Sequence, residues 1–213
     1  MKNNNFILTL VLILFSTSLY CAQADLGLQE VDLDTKLQLG FQTGFGLGFQ
    51  SGGGENTDRK IVPKLSYDMS FALHYYFMRN VGFAFELGYQ QFQIKEKSES
   101  LSYYSSRKIK YLFFSFSPIF KIDKVIFSFG VYFGLVSAAS VTTTYNTYNN
   151  TEQIKNPDLG LTVKAGYCFK LDDKLDLITS LSLKYQLLPY GNDETVSGKV
   201  LVVFLSLSLM FDI

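Results

Sequence analysis

The sequence predicts an all-β fold, a closed antiparallel eight-stranded transmembrane β-barrel of up-and-down topology. Three observations predict it. Apolar and small polar side chains alternate with a period of two along most of the chain, as strands with one greasy face require. The connections alternate between tight turns and long polar stretches. Hydrophobic residues make up 47% and aromatics 16%, with 20 Phe, 14 Tyr and no Trp, yet no stretch past the N-terminus is long enough for a helical span. A lipid-embedded chain without such a helix must satisfy its backbone polar groups in a closed barrel. A chain of 213 residues suffices for a small one. The zero formal charge offers no basic field for nucleic acid.

The N-terminus carries Lys2, an apolar run from Phe6 to Phe15, then Ser16-Thr17-Ser18 and Ala22-Gln23-Ala24. This is the charged start, greasy core and small-x-small cleavage site of a secretory signal peptide. Residues 1–24 are therefore read as the signal and 25–213 as the barrel domain. The apolar run is too short to anchor. Cys21 stands where a lipidated cysteine would, but Tyr20 before it is bulky for that purpose. After cleavage Cys168 has no intrachain partner, and its parity places it inside the barrel.

The first strand, 36–50, sets Leu37, Leu39, Phe41, Phe45, Leu47 and Phe49 against Gln and Gly. The second, 64–78, sets Leu65, Tyr67, Met69, Phe71, Leu73, Tyr75 and Phe77 against Lys64, Ser66, Asp68, Ser70, Ala72 and His74. In the third, 81–94, Phe83, Phe85, Leu87 and Tyr89 oppose Gly82, Ala84, Glu86 and Gly88. The fourth, 109–122, groups Leu112, Phe114, Phe116 and Phe120 with Pro118; proline lacks the ladder donor, so a bulge is expected there. The fifth, 125–141, has Phe127, Phe129, Val131, Phe133 and Leu135 on one face. The sixth, 158–170, shows Leu159, Leu161 and Val163 against Gly160, Lys164 and Cys168. The seventh, 175–187, sets Leu177, Leu181 and Leu183 against Asp176, Ser180 and Lys184. The eighth, 199–213, closes with Leu201, Val203, Leu205, Leu207, Leu209 and Phe211.

Turns at 79–80, 123–124 and 171–174 are short, whereas the connections at 51–62, 95–108, 142–157 and 188–198 are long and polar. Short periplasmic turns with long outer loops are the pattern of outer-membrane barrels. A lipocalin-like barrel would turn the apolar face inward, but a face this dense in Phe, Leu and Tyr overfills a small interior. The opposing Gly, Ala and Ser fit one. Tyr67, Tyr89 and Tyr185 at the outer ends, with Tyr75, Phe77, Tyr167 and Phe211 at the periplasmic ends, match aromatic girdles. The strands exceed the roughly 9–11 residues needed to cross, so several are expected to project as a raised rim.

Three stretches carry a family resemblance: Tyr111 to Lys121 with Pro118, Leu159 to Lys184 with Gly160, Gly166 and Asp172-Asp173-Lys174, and the terminal strand with Leu205, Leu207, Leu209 and Phe211. Over about 25–213 the chain resembles small outer-membrane barrels of the OmpA/OmpX-like and PorT-like group. The resemblance implies residence in a Gram-negative outer membrane, contact with its lipid, and recognition of the last strand by the barrel-insertion machinery. Such chains commonly end in Phe or Trp; this one ends in Ile213, which shifts that role to Phe211.

Inward charges of both signs predict a lumen network of Glu86, Lys164, Asp68, Lys184 and Asp176. Glu86 and Lys164 sit at similar heights and are expected to pair, because an unpaired buried charge is costly. His74, the single histidine, shares a face with Asp68 and Ser70. Six residues of strand separate it from Asp68 by about 20 Å, so no triad forms on that strand, and no catalytic, cofactor-binding or metal residues are assigned. Gly44, Gly46, Gly48 and Gly52-Gly53-Gly54 lack the helix and Lys-Ser/Thr ending of a phosphate loop. Tyr103, Tyr104, Tyr145 and Tyr148 make the outer loops suitable for adaptable recognition. The function expected is a non-enzymatic structural or surface-interaction barrel, binding an unidentified extracellular ligand if any. The alternatives are a surface adhesin and a lipid A-modifying enzyme using His74.

Overall fold

Alternating side chains become strands because each residue in a pleated chain faces opposite to the next, and here that parity holds over the 20 residues of Tyr103–Ile122. The computed structural model describes residues 35–51, 59–98, 103–149, 151, 157–188 and 199–213. They form β1 (Lys36–Ser51), β2 (Arg59–Met78), β3 (Val81–Ser98), β4 (Tyr103–Ile122), β5 (Val125–Thr143), β6 (Thr147–Asn149), β7 (Asp158–Asp172), β8 (Leu175–Gln186) and β9 (Lys199–Asp212). The expected signal segment, Cys21 included, lies outside the described residues.

Eight antiparallel strands close into a ring in the order β4-β3-β2-β1-β9-β8-β7-β5, with β5 pairing back onto β4. β1 and β9 seal the seam from Gln38 opposite Asp212 to Ser51 opposite Lys199. The turns at Arg79-Asn80, Asp123-Lys124 and Asp173-Lys174 share one end with the start of β1 and the end of β9. Asp123 adopts a positive φ of 53°, which a short polar side chain tolerates in a tight turn.

The faces are inverted relative to a soluble protein. Gln38, Gln42, Asp68, Glu86, Lys184 and Ser208 are buried, while Phe71, Leu87 and Leu205 are more than 60% exposed. Exposed large apolar residues recur on every strand of the ring. Patches beyond a few hundred Å² are rare on soluble monomers, whereas a belt around the whole wall is what hydrocarbon requires. On β1 the belt runs from Leu39 to Phe49, about 34 Å of strand and about 26 Å along the barrel axis at a tilt of ~40°.

Two expectations are corrected. Pro118 makes no bulge: Phe116 opposite Val131 and Ile119 opposite Ser128 keep one register across it. Its missing donor is accommodated because the ladder simply has no bridge there, and Gly130 lets Ser117 approach where any Cβ would collide with the Ser117 backbone and hydroxyl. The β4–β5 register shift lies instead at Lys110/Tyr111. There the extra residue Ser137 donates its hydroxyl to the Lys110 carbonyl at 3.2 Å, and inward parity in β5 passes from even to odd residues. The second correction concerns loops. Most of 95–108 is strand, since β3 runs to Ser98 and β4 starts at Tyr103, and 142–157 contains β6, which pairs with the outer end of β5. Long β2 to β5 thus form a tall wall, and the shorter β7 to β9 a low one.

The lumen is filled in three layers. Phe92, Ile94, Ile109, Tyr111, Ala139, Val200, Val202 and Phe204 make an apolar cluster toward the outer end. Ala72, Tyr76, Ala84, Ile119, Ile126, Cys168, Ile178 and Met210 make another toward the turn end. Charged side chains occupy the level between.

Candidate functional site

Parity aims Asp68, Glu86, Lys164 and Lys184 into the lumen; closure of the ring brings them together. Lys184 on β8 reaches Asp68 on β2 at 3.1 Å, with side-chain exposures of 2% and 0%. Its ammonium also donates to Gln90 Oε1 at 3.0 Å and lies 3.8 Å from the centre of the Phe113 ring. Gly44 makes room for this pair, since a Cβ there would sit 2.5 Å from both Asp68 Oδ1 and Ser206 Oγ. Lys164 on β7 forms an ion pair with Glu86 on β3. It also donates to Gln42 Oε1 at 2.7 Å, which accepts from Ser208 Oγ at 3.1 Å as well. Both ion pairs span three strand-to-strand steps of the ring, so they cross the lumen rather than decorate one sheet.

Asp176 is not part of this middle layer. It accepts from Gln38 Nε2 at 2.8 Å and lies 3.7 Å from Lys36 at the turn end. Gln38 also donates to Asp212 at 2.7 Å, and Lys36 pairs with Asp212 at 2.7 Å. The five lumen charges therefore divide into two crossing pairs and a separate mouth cluster. The mouth is a concavity of about 670 Å³ lined by Lys36, Arg79, Lys121, Asp173, Asp176 and Asp212 among others. It is open to the periplasmic side and mixed in charge.

His74 is buried and faces the edge of the Tyr76 ring, with centroids 6.3 Å apart. Its Nδ1 has no hydrogen-bond partner among the described residues, and Asp68 is engaged by Lys184 instead. A cavity of about 10 Å³ lies beside it, lined by Gln42, Glu86, Lys164 and Ser180, at the lower limit for one water.

Of the outer tyrosines, Tyr145 is 84% exposed. Tyr104 lies in β4 with the Lys95 ammonium 4.2 Å from its ring centre. The side chains of Tyr103 and Tyr148 lie outside the described residues. On the outer wall below them, Lys108, Lys110, Ala138, Ser140, Thr147 and Asn149 line a shallow groove of about 360 Å³. Sequence reasoning passed over Gln42, Gln90 and this groove. The glutamines were visible as inward-parity polar residues, but their lysine partners lie on strands far away in sequence.

A family model for the outer membrane protein beta-barrel domain matches residues 22–187. The chain belongs to that family. Its place is accordingly the outer membrane, and the strands of the ring are membrane-spanning. Among curated proteins no sequence matches. Of solved structures, Neisserial surface protein A (NspA) is similar at 14% identity, over 82% of this chain and 96% of that one, with a TM-score of 0.46. Ail of Yersinia pestis is 16% identical over 83% of this chain and 97% of its own, with a TM-score of 0.40. OprG of Pseudomonas aeruginosa is 13% identical over 83% and 95%, also with a TM-score of 0.40.

Proposed function

We propose that this family member is a non-enzymatic, non-conducting barrel that contributes to envelope integrity and presents its tall outer wall to the surroundings. The observation that carries the reading is the three-layer lumen: two apolar clusters enclose a level of crossing ion pairs. Eight strands leave an interior that side chains fill, and charges locked to one another cannot shuttle ions. The lumen pairs act as internal struts that fix the registers of opposite walls. On this reading residues 1–24 direct export and are removed, the insertion machinery reads the last strand, and outer-membrane lipid surrounds the belt.

The test has two parts. On a denaturing gel of the outer-membrane fraction, the unboiled protein should migrate apart from the boiled, as a heat-resistant barrel does. Reconstituted in a planar bilayer, it should give no steps above background. Sustained conductance, or recovery only as soluble periplasmic protein, would overturn the proposal.

A second reading, a surface adhesin, is favoured by the exposed Tyr145 beyond β5 and by the rim that β2 to β5 raise. Exchange of 144–146 for Gly-Ser residues should abolish surface binding while the heat-shifted band persists. The lipid A-modifying alternative would need His74 as a reacting group, and a His74→Ala strain with an unchanged lipid A profile would remove it.

A further inference from the structure

The groove on the outer wall of β4, β5 and β6 has no part in the lumen. Outward parity places Lys108 and Lys110 on β4, opposite Gln93 and Gln91 of neighbouring β3, with Lys95 opposite Ser106 one outward position farther up. Across the other edge, Lys110 faces Ala138 and Lys108 faces Ser140. β6 then sets Asn149 opposite Ser140 and Thr147 opposite Thr142. The groove of about 360 Å³ thus holds two ammonium groups with hydroxyl and amide groups of Ser140, Thr147 and Asn149, and among the described residues no carboxylate lines it. Among the described residues the side chains of Lys97, Lys108 and Lys110 make no ion pair or hydrogen bond. The nearby acid Glu96 has inward parity and lies 3.8 Å from Arg107 inside the barrel. Lys108 and Lys110 stand two residues apart on the same strand face, and their summed positive field attracts an anion from outside the chain.

Height decides which anion. Leu112, 54% exposed, lies two residues below Lys110 on the same face of β4, and Leu135, 47% exposed, lies opposite Leu112. Tyr89 is the other cross-strand neighbour of Leu112 and pairs with Tyr67 at a ring separation of 6.1 Å. Tyrosines gather where hydrocarbon meets headgroups, so Lys110 emerges at the edge of the lipid-facing belt. Its stem can lie along apolar wall while its ammonium reaches outward. A water-soluble anion would have no reason to be met at that level.

We propose that Lys108 and Lys110, with Ser140, Thr147 and Asn149, form a binding site for the phosphate-bearing headgroup of an outer-leaflet lipid. The two ammonium groups neutralise the phosphate, and the hydroxyl and amide groups of β5 and β6 hydrogen-bond the sugar or phosphate oxygens. The lipid's acyl chains descend over Leu112 and Leu135.

The full mature chain is refolded in detergent and titrated, by native mass spectrometry, with lipid A carrying both phosphates, the same lipid stripped of them, and the water-soluble disaccharide bisphosphate without acyl chains. Wild type should prefer the phosphorylated lipid, and Lys108→Ser/Lys110→Ser should weaken that binding about thirtyfold, the loss expected for two surface lysines. Lys121→Ser, at the opposite end, should leave it unchanged, and gel mobility verifies that each variant is folded. Equal binding of phosphorylated and stripped lipid, or an unaffected double variant, would overturn the site. Equally tight binding of the acyl-free disaccharide would overturn its assignment to lipid.

Discussion

Four lysines on this barrel live in opposite worlds. Lys164 and Lys184 point inward and are held by Glu86 and Asp68 across the lumen. Lys108 and Lys110 point outward above the apolar belt, and among the described residues no acid lines their groove. The residue type is the same and all four sit on β-strands. Parity chooses the side, and the side decides whether the charge must be answered by the protein or by its surroundings. Inside, desolvation makes an unanswered charge cost several kcal/mol. Outside, water and lipid headgroups compensate, and the lysine becomes available for binding.

Breaking the inner pairs should therefore be expensive. Lys184→Met leaves Asp68 buried and unpaired, and a loss of about 3–5 kcal/mol is expected, seen as an earlier midpoint in urea. With no Trp in the chain, circular dichroism or gel mobility should follow the transition. Lys164→Met should cost less, about 2–3 kcal/mol, because the Lys164 side chain retains 14% exposure and its partner 7%. An equal cost for the two lysines would mean that burial does not grade them. Gly44→Val sharpens the comparison from another side: its Cβ displaces the Asp68 carboxylate, and overpacking of this kind costs about 1–3 kcal/mol. Asp68→Leu combined with Lys184→Met should recover most of the loss seen with Lys184→Met, since removing both charges strands no charge and leaves only the neutral Gln90 amide without its donor. If the double variant were as unstable as Lys184→Met alone, the penalty would lie in lost packing rather than in a stranded carboxylate. The smallest effect is expected outside. Lys108→Ser should change the unfolding midpoint by less than about 0.5 kcal/mol, as surface substitutions do.

Much of this barrel was legible in the sequence. Parity placed Glu86, Lys164, Asp68 and Lys184 on the inner face because the strand period of two depends on local geometry alone. The short turns at 79–80 and 123–124 were legible for the same reason. The ends of strands were not. Lys95 to Ser98 and Tyr103 to Lys108 read as polar loop, yet they pair residue by residue from Lys95 opposite Ser106 to Ser98 opposite Tyr103. Above the membrane both faces carry polar side chains, the apolar alternation that marks a strand vanishes, and backbone hydrogen bonding sustains the ladder together with side-chain pairs such as Glu96–Arg107. Pro118 misled in the opposite direction, because the register that absorbs it depends on Gly130 of the next strand.

The sequence by itself determined that the chain makes alternating strands, which face of each is apolar, and which ends carry the tight turns. These follow from side-chain period and turn chemistry within a few residues. Only the tertiary structure decided who meets whom across the lumen. Asp176 shares the inward parity of Lys184, eight residues away on the same strand, yet it joins Lys36 and Gln38 at the mouth while Lys184 takes Asp68 in the middle. Ring closure and the stagger of eight strands set those heights. No single strand contains that information, because it arises when β9 returns to pair with β1.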